Sequence, residues 1–118
     1  MKYNVVVEKS MDFAIRTVNL YKYLSKEKDE FILSKQLLRS GTSVGANIRE
    51  AVYGQSKKDF TAKMSIALKE SAETEYWLEL LFKTDYLTEK QYEDIRSDCS
   101  EIVKMLTTIV KSSKSVNC

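Results

Sequence analysis

The chain has 118 residues, which is the length of one compact domain, and we expect a single domain over residues 1–118. Its composition is 43% hydrophobic and 31% charged, which excludes a disordered chain and a membrane-embedded one. The formal net charge is only +2, and the absence of histidine excludes the usual triad hydrolases, histidine-dependent ribonucleases and zinc proteases with paired helical histidines. The absence of proline predicts few turns and long helices.

The first predicted helix occupies the N-terminal part of the chain and ends at the charged run KEKDE. Apolar residues recur there at steps of four and three, which places them on one helical face. We expect that face to be the first helix's share of the core. Its members are Val7, Met11, Ile15, Val18, Leu20 or Tyr21, and Leu24.

The second predicted helix starts near Phe31 and ends near Gly54, where a glycine can adopt a left-handed conformation without steric cost. Gly41 and Gly45 lie inside it, and each costs about 1 kcal/mol relative to alanine. Their four-residue spacing puts both on one side of the helix. We expect either close packing against another helix, which is favoured, or a ligand cleft.

The third predicted helix has Ser56 as its N-cap and Asp59 in its first turn. Its predicted apolar face comprises Phe60, Met64, Ala67, Leu68, Ser71, Leu78, Leu81 and Phe82. The segment from Thr84 to Leu87 forms the break before the last helix.

The fourth predicted helix opens with a capping box made by Thr88 and Gln91. Its apolar residues follow a heptad seam of Tyr92, Ile95, Cys99, Ile102, Leu106 and Ile109. The tail from about residue 113 to residue 118 has no periodicity, and we expect it to fray. Four helices with short connections predict an all-α, antiparallel up-and-down four-helix bundle.

Cysteine usage predicts a reduced, cytoplasmic protein, since Cys99 lies on an apolar face and Cys118 has no partner at metal-ligand spacing. No run of the sequence is long and apolar enough to predict a signal peptide or a membrane span.

The charges are polarised along the sequence. Residues 35–69 contain seven basic and two acidic residues, and residues 70–101 contain ten acidic and three basic ones. Such polarity favours head-to-tail self-association or a basic face for nucleic acid.

A row of polar residues follows the second helix beside its apolar face, at alternating steps of four and three: Gln36, Ser40, Ser43, Asn47 and Glu50. The row is expected to serve packing within the bundle or between subunits; a binding groove and simple solvation are the alternatives. Glu75 is predicted to turn toward the apolar face of the third helix and to need a partner, with Arg39, Arg49 or Asn47 as candidates. Glu70, Glu73 and Glu79 are expected to be solvated.

The second and third helices resemble those of a bacterial four-helix-bundle family first noticed inside intervening sequences of large-subunit ribosomal RNA genes, whose members are often labelled ribosomal-protein-like. The resemblance covers about residues 8–112 and rests on the runs SKQLLRSGTSVGANIREA, GQSKKDFTAKMSIALKESAETEYWLELL and DYL. Its specific residues are Gln36, Arg39, Ser40, Ser43, Asn47, Ile48, Glu50, Ser56, Asp59, Phe60, Ala67, Glu73, Glu75 and Tyr86. The chain departs from the family pattern at Gly41, Gly45, Ala51, Lys69, Glu70 and Asp85, the last of which replaces a turn glycine.

The resemblance implies a bundle that assembles into a ring, often a pentamer. The family is similar in architecture to the accessory proteins of diversity-generating retroelements, which also form pentameric bundles and bind nucleic acid. The implied partners are therefore further copies of the chain and a nucleic acid, above all RNA. No catalytic role is implied, and we expect no cofactor, no metal, no small-molecule substrate and no membrane partner.

The leading hypothesis is thus a non-catalytic homo-oligomer that associates with RNA. The residues expected to contact phosphates are Lys35, Arg39, Arg49, Lys57, Lys58 and Lys63, and Tyr53 is expected to stack on a base. The alternative is a structural or interaction module whose charged faces serve self-assembly only. An enzyme is the least favoured class, because carboxylate-bridged metal bundles need Glu-x-x-His pairs.

Overall fold

The structure is a computed structural model that describes the backbone of residues 2–116 and the side chains of residues 2–115. It contains the four predicted helices, α1 (Asn4–Glu27), α2 (Leu33–Val52), α3 (Lys57–Lys83) and α4 (Glu89–Val116). Each helix packs against the next one along the chain, and α1 also packs against α4, so that α1 and α3 are diagonal neighbours. This arrangement confirms the all-α four-helix bundle, which measures 47 × 22 × 20 Å.

The heptad seam of α4 is confirmed, since Ile95, Cys99, Ile102 and Leu106 are all buried in the core. Both predicted caps are also confirmed. The Asp59 backbone N–H donates to Ser56 Oγ over 3.0 Å. At the start of α4 the Thr88 N–H donates to the Gln91 side chain, and the Gln91 N–H donates to Thr88 Oγ1, over 2.9 and 3.2 Å.

The core face of α1 differs from the predicted one. The buried residues are Val6, Ser10, Phe13, Thr17 and Leu24. The predicted core residues Met11 and Ile15 are instead 43% and 52% exposed. The prediction failed because it followed apolar residues only, whereas α1 presents two small polar side chains, Ser10 and Thr17, to its neighbour.

The reason lies in the two helical glycines of α2. A Cβ atom on Gly41 would lie 2.6 Å from Thr17 Cγ2, and one on Gly45 would lie 3.3 Å from Ser10 Oγ. Both hydroxyls also donate to carbonyls of their own helix, Ser10 to Val7 and Thr17 to Phe13. The favoured interpretation, close helix packing at the glycines, is confirmed, and the helix that approaches is α1.

The turn between α1 and α2 is fixed by a buried carboxylate. Glu30 accepts the backbone N–H groups of Ile32, Leu33 and Ser34 over 3.2, 3.0 and 2.7 Å. These are orphan donors at the start of a helix, so Glu30 caps α2. The helix therefore begins at Leu33 rather than near Phe31, which is left exposed.

Helix α2 ends at Val52, near Gly54 as predicted, but the predicted left-handed conformation of Gly54 was wrong, because no glycine among residues 2–116 has a positive φ. Gly54 instead leaves room for the Asp59 side chain, since a Cβ on Gly54 would lie 2.5 Å from the Asp59 carboxylate. The left-handed residues are Asp29, with φ 53°, and Asp85, with φ 71°. Asp85 thus adopts the backbone conformation of the turn glycine that it replaces.

The expected fraying from residue 113 does not occur in the described part of the tail. Helix α4 continues to Val116, and Ser113 is buried and hydrogen bonded to Thr61 of α3. Cys118 and the rest of the predicted tail beyond residue 116 lie outside the described residues.

The outer edge between α1 and α4 is closed by charged side chains. Arg16 pairs with Asp94 over 3.0 Å and also with Asp98, and Lys9 pairs with Glu101 over 2.5 Å. We call these five residues the ion-paired edge. All are substantially exposed, and each such pair contributes at most about 1 kcal/mol.

Candidate interaction surfaces

The polar row of α2 faces α3 of the same bundle. Ser40 is fully buried, and Thr74 Oγ1 donates to its hydroxyl over 2.9 Å. Asn47 is half-buried and donates to the carbonyl and the hydroxyl of Ser43, over 2.9 and 3.0 Å. The row thus reaches from a core hydrogen bond at Ser40 to the exposed end residues Gln36 and Glu50.

Arg39 joins α2 to the acidic part of α3. Its guanidinium pairs with Glu70 over 3.3 Å and with Glu73, and it also donates to the Gln36 side chain. The Trp77 indole donates to the same Glu73 carboxylate over 2.8 Å. These donors, Trp77 first, hold the pKa of Glu73 below its ordinary value. Glu70 and Glu73 are therefore paired, and the prediction that they are simply solvated was wrong.

Glu75 has a different partner from those predicted. Ser100 of α4 donates its hydroxyl to the Glu75 carboxylate over 2.9 Å. The Arg96 guanidinium in turn reaches Ser100 at 3.5 Å. Glu75 is half-buried between α3 and α4, so the α2 residues Arg39, Arg49 and Asn47 are not its partners.

The seven candidates for nucleic-acid contact do not form one surface. Arg39 is held by α3, and Lys63 pairs with Glu50 over 3.2 Å. Lys35 lies 14 residues before Arg49, which separates them by about 21 Å along α2.

The remaining four candidates lie at one end of the bundle, Arg49 and Tyr53 at the end of α2 and Lys57 and Lys58 at the start of α3, and are hereafter called the cationic end. All four are exposed, Tyr53 by 76%. Within residues 2–115, neither Arg49 nor either of these lysines has an acidic side chain within 4 Å. The positive charges of the cationic end are therefore not neutralised by acidic side chains of the described residues.

A groove of about 560 Å³ runs between α1 and α2 beside the glycine contacts. Three of its lining residues, Gly45, Ser10 and Ala14, are small. Larger side chains at these positions would fill the groove. Its walls are longer side chains, with Met11 on α1 and Arg49 on α2. The remaining lining residues are Val7, Thr42, Ala46, Glu50 and Tyr53. We call this feature the α1–α2 groove.

Sequence reasoning placed Val7 and Met11, two lining residues of the α1–α2 groove, in the core and therefore missed the groove. In the apolar series that it followed, Met11 and Ile15 face outward, whereas Leu24 is buried and Val7 and Leu20 pack against the core. A signal was present in the sequence, because Ser10 and Thr17 are seven residues apart and can face two glycines spaced by four. Gly45, which was expected to serve either packing or a cleft, does both.

The possible metal ligands and the Cys99 thiol were located among the described residues. No group of three or more Cys, Asp or Glu side chains in residues 2–115 is placed to hold a metal ion. Cys99 is buried, and its burial, with Glu75 and Asp98 nearby, raises its pKa to about 12. Across residues 2–116, no helix has both the length and the apolar character needed to span a membrane.

The comparisons with known proteins agree with the resemblance of the second and third helices. A crystal structure at 1.70 Å resolution of a protein of unknown function, from the S23 ribosomal protein family of Bacteroides thetaiotaomicron, matches with a TM-score of 0.91. It is 61% identical in sequence, and the match covers 94% of this chain and 99% of that chain. Curated proteins give no match. The family model described as 23S rRNA-intervening sequence protein matches residues 2–108, and the chain therefore belongs to that family.

Proposed function

We propose that the chain is a non-catalytic, self-assembling protein of the cytoplasm and that the α1–α2 groove is its assembly surface. One observation carries this proposal: an apolar stripe of α1, with Met11 and Ile15 about half exposed, lies outward beside a groove floored by small residues. Exposed apolar surface that borders a groove is typical of a protein–protein interface. The ring assembly implied by the family resemblance, often a pentamer, is the form that we expect.

The proposal is tested by the mass of the particle in solution. Light scattering after size exclusion should give a multiple of the 13.6 kDa chain and a monomer for Met11→Glu, because a carboxylate in the groove would be desolvated on assembly. Ser97→Glu, which adds the same charge to an exposed position on α4, serves as the matched control and should leave the mass unchanged. A monomeric parent protein, or a Met11→Glu variant of unchanged mass, would contradict the proposal.

A second function, association with RNA, is supported by the cationic end. There Arg49, Lys57 and Lys58 have no acidic partner within the described residues, and the exposed Tyr53 ring can stack on a base. Arg39 and Lys63 are not included, because acidic side chains of the bundle already neutralise them.

The RNA proposal is tested with a fluorescent structured RNA hairpin over a range of salt concentrations. Binding should weaken steeply with salt, and Lys57→Glu with Lys58→Glu should abolish it. The pair Lys26→Glu and Lys28→Glu, at the opposite end of the bundle, changes the charge equally and should have a smaller effect. No binding at low salt, or binding that salt does not change, would rule out phosphate contact.

The same variants separate the two functions when their mass is also measured. If the double substitution of Lys57 and Lys58 dissociates the assembly, the cationic end is an assembly surface. If the assembly persists and RNA binding is lost, the cationic end is a nucleic-acid surface.

A further inference from the structure

Helix α3 carries apolar side chains on two opposite faces, and the bundle uses only one of them. The inner face contributes Met64, Ala67, Leu78 and Leu81 to the core. On the outer face Ile66 is 42% exposed and Tyr76 is 56% exposed, with exposed alanines at 62 and 72. We call the outward residues Ala62, Ile66, Ala72 and Tyr76 the α3 ridge. Low amphipathicity of a surface helix is expected when its outer face has a partner.

The α3 ridge and the α1–α2 groove lie on different sides of the molecule. Helices α1 and α3 are diagonal neighbours, with α2 and α4 between them, so their outward faces point away from each other. The two surfaces of one chain therefore cannot meet. A contact between the groove of one copy and the ridge of another is heterologous, and such contacts form rings when the rotation closes.

The two surfaces also lie at matching levels along the bundle. Helices α1 and α3 start at the same end, where Tyr3 and Phe60 are in ring contact at 5.1 Å. At about 1.5 Å per residue, Ile66 lies about 14 Å along α3, and Met11 and Ala14 lie about 11 and 15 Å along α1. Copies related by rotation about an axis parallel to the helices stand at equal height. Ile66 of one copy then lies opposite the middle of its neighbour's groove.

A cation–π contact is available to the same pairing farther along the helices. The glutamates of α3 at this level already have partners within the bundle, whereas the Tyr76 ring is 56% exposed and can receive a cation of a neighbouring copy. At the corresponding level of the α1–α2 face, Lys22 and Lys35 are exposed and have no acidic partner within residues 2–115. Lys22 lies about 27 Å from the start of α1, and Lys35 lies about 26 Å from the Val52 end of α2, which is level with that start. Tyr76 lies about 29 Å from the start of α3, so all three residues are at a similar height. An ammonium group of either lysine can approach the Tyr76 ring.

We infer that the occupant of the α1–α2 groove is the α3 ridge of a second copy of this chain, with Ile66 as the inserted side chain. This inference rests on the proposed self-assembly, and it names the surface that fills the groove. The two surfaces have separate roles: the α1–α2 groove of one copy receives the α3 ridge of the next. Every copy then uses both surfaces, one toward each neighbour.

The test mixes two variants that are each deficient in one surface. Met11→Glu keeps an intact ridge, and Ile66→Glu keeps an intact groove, so each alone should be monomeric. A one-to-one mixture should form a two-chain particle, because one complete groove–ridge contact remains, and native mass spectrometry with one chain isotopically labelled should show one of each. Circular dichroism confirms that both monomers are helical, and Ser97→Glu is again the control.

The outcomes distinguish this inference from the proposed function. If Ile66→Glu assembles like the parent while Met11→Glu is monomeric, the groove is an assembly surface and the ridge is not its occupant. If both variants assemble like the parent, the proposed assembly surface is itself wrong. If both are monomeric and their mixture stays monomeric, the groove does not receive the ridge and the inference is overturned.

A disulfide experiment provides a second measurement that does not depend on destabilising substitutions. Ala14→Cys and Ile66→Cys in one chain, with Cys118→Ser, should give a ladder of covalent multimers on mild oxidation. Either new cysteine alone should give no product beyond a dimer, since one accessible thiol forms only one disulfide. In the double variant the ladder requires the two positions to meet between copies, with Cα atoms within about 7 Å. A double-cysteine chain that stays monomeric under oxidation would contradict the contact.

Discussion

Thr17 and Gly41 face each other so closely across α1 and α2 that a Cβ atom on the glycine would lie 2.6 Å from Thr17 Cγ2 and 2.7 Å from its Oγ1. Replacing a helical glycine by alanine normally gains about 1 kcal/mol. Here overpacking costs about 1–3 kcal/mol, so Gly41→Ala should destabilise the fold. Urea unfolding followed by circular dichroism, at one fixed protein concentration, measures the change.

The matched variant shortens the Thr17 side chain, which is the group that the new Cβ on residue 41 would meet. Thr17→Ala removes the two nearest atoms that the new Cβ would meet and leaves Thr17 Cβ at 3.1 Å, so the double variant should be more stable than the sum of the two single changes predicts. An additive result would mean that Gly41 is not limited by Thr17.

Glu30 is the second test of the α1–α2 connection. Glu30→Ala removes the acceptor of three backbone N–H groups at the start of α2, and we expect a loss of about 2 kcal/mol in the free energy of unfolding. Glu27→Ala removes an exposed carboxylate three residues earlier and should cost much less. Equal losses in thermal and urea unfolding would show that the buried carboxylate does not cap the helix.

The Glu73 carboxylate should make stability depend on acid pH. Its hydrogen bond from Trp77 and its pairing with Arg39 lower its pKa in the folded chain. A carboxyl whose pKa is lower in the folded than in the unfolded state stabilises the fold above the unfolded value, and this contribution is lost as the pH falls through the folded value. Between pH 7 and pH 3, the free energy of unfolding should therefore decrease more for the parent than for Glu73→Gln.

The control for that comparison is Glu8→Gln, an exposed carboxylate of α1 outside the Arg39 cluster. It removes the same charge and should leave the steepness of the acid transition unchanged. If Glu73→Gln and the parent lose equal stability on acidification, the cluster does not stabilise the charged form.

Cys99 should be chemically inert in the folded protein. Thiolates, not thiols, react with disulfide reagents, and burial raises the pKa of Cys99 to about 12. In a Cys118→Ser chain, which has Cys99 as its single cysteine, Ellman's reagent should react only as fast as the core opens. Fast and complete reaction under urea provides the positive control. Rapid reaction in native buffer would place Cys99 outside the core.

Features set by neighbours in the sequence were predictable. The capping box of Thr88 and Gln91, the Ser56 cap and the seam of α4 each depend on residues three or four positions apart. The rotation of α1 was not predictable from apolar periodicity, because that helix carries two stripes. Which stripe is buried was decided by the match of Ser10 and Thr17 to the glycines of α2.

The partners of charged side chains were the least predictable part of the candidate site. Helical spacing correctly predicted that Glu75 faces inward. It could not indicate that the hydrogen-bond partner of Glu75 is Ser100 of α4 rather than a residue of α2. The opposite error occurred for Glu73, which looked solvated because its partners Arg39 and Trp77 lie on different helices. Such pairings depend on how each helix is rotated about its own axis.

The ion-paired edge has a consequence for the order in which the bundle forms. The bond between Arg16 and Asp98 joins residues 82 positions apart, whereas the buried hydrogen bond from Thr74 to Ser40 joins helices adjacent along the chain. Contacts between successive helices are local in topology and form early, and surface charges contribute little to a folding nucleus. We therefore expect successive helices to pair first, and the first and last helices to meet along this edge afterwards, in the step that completes the shared core.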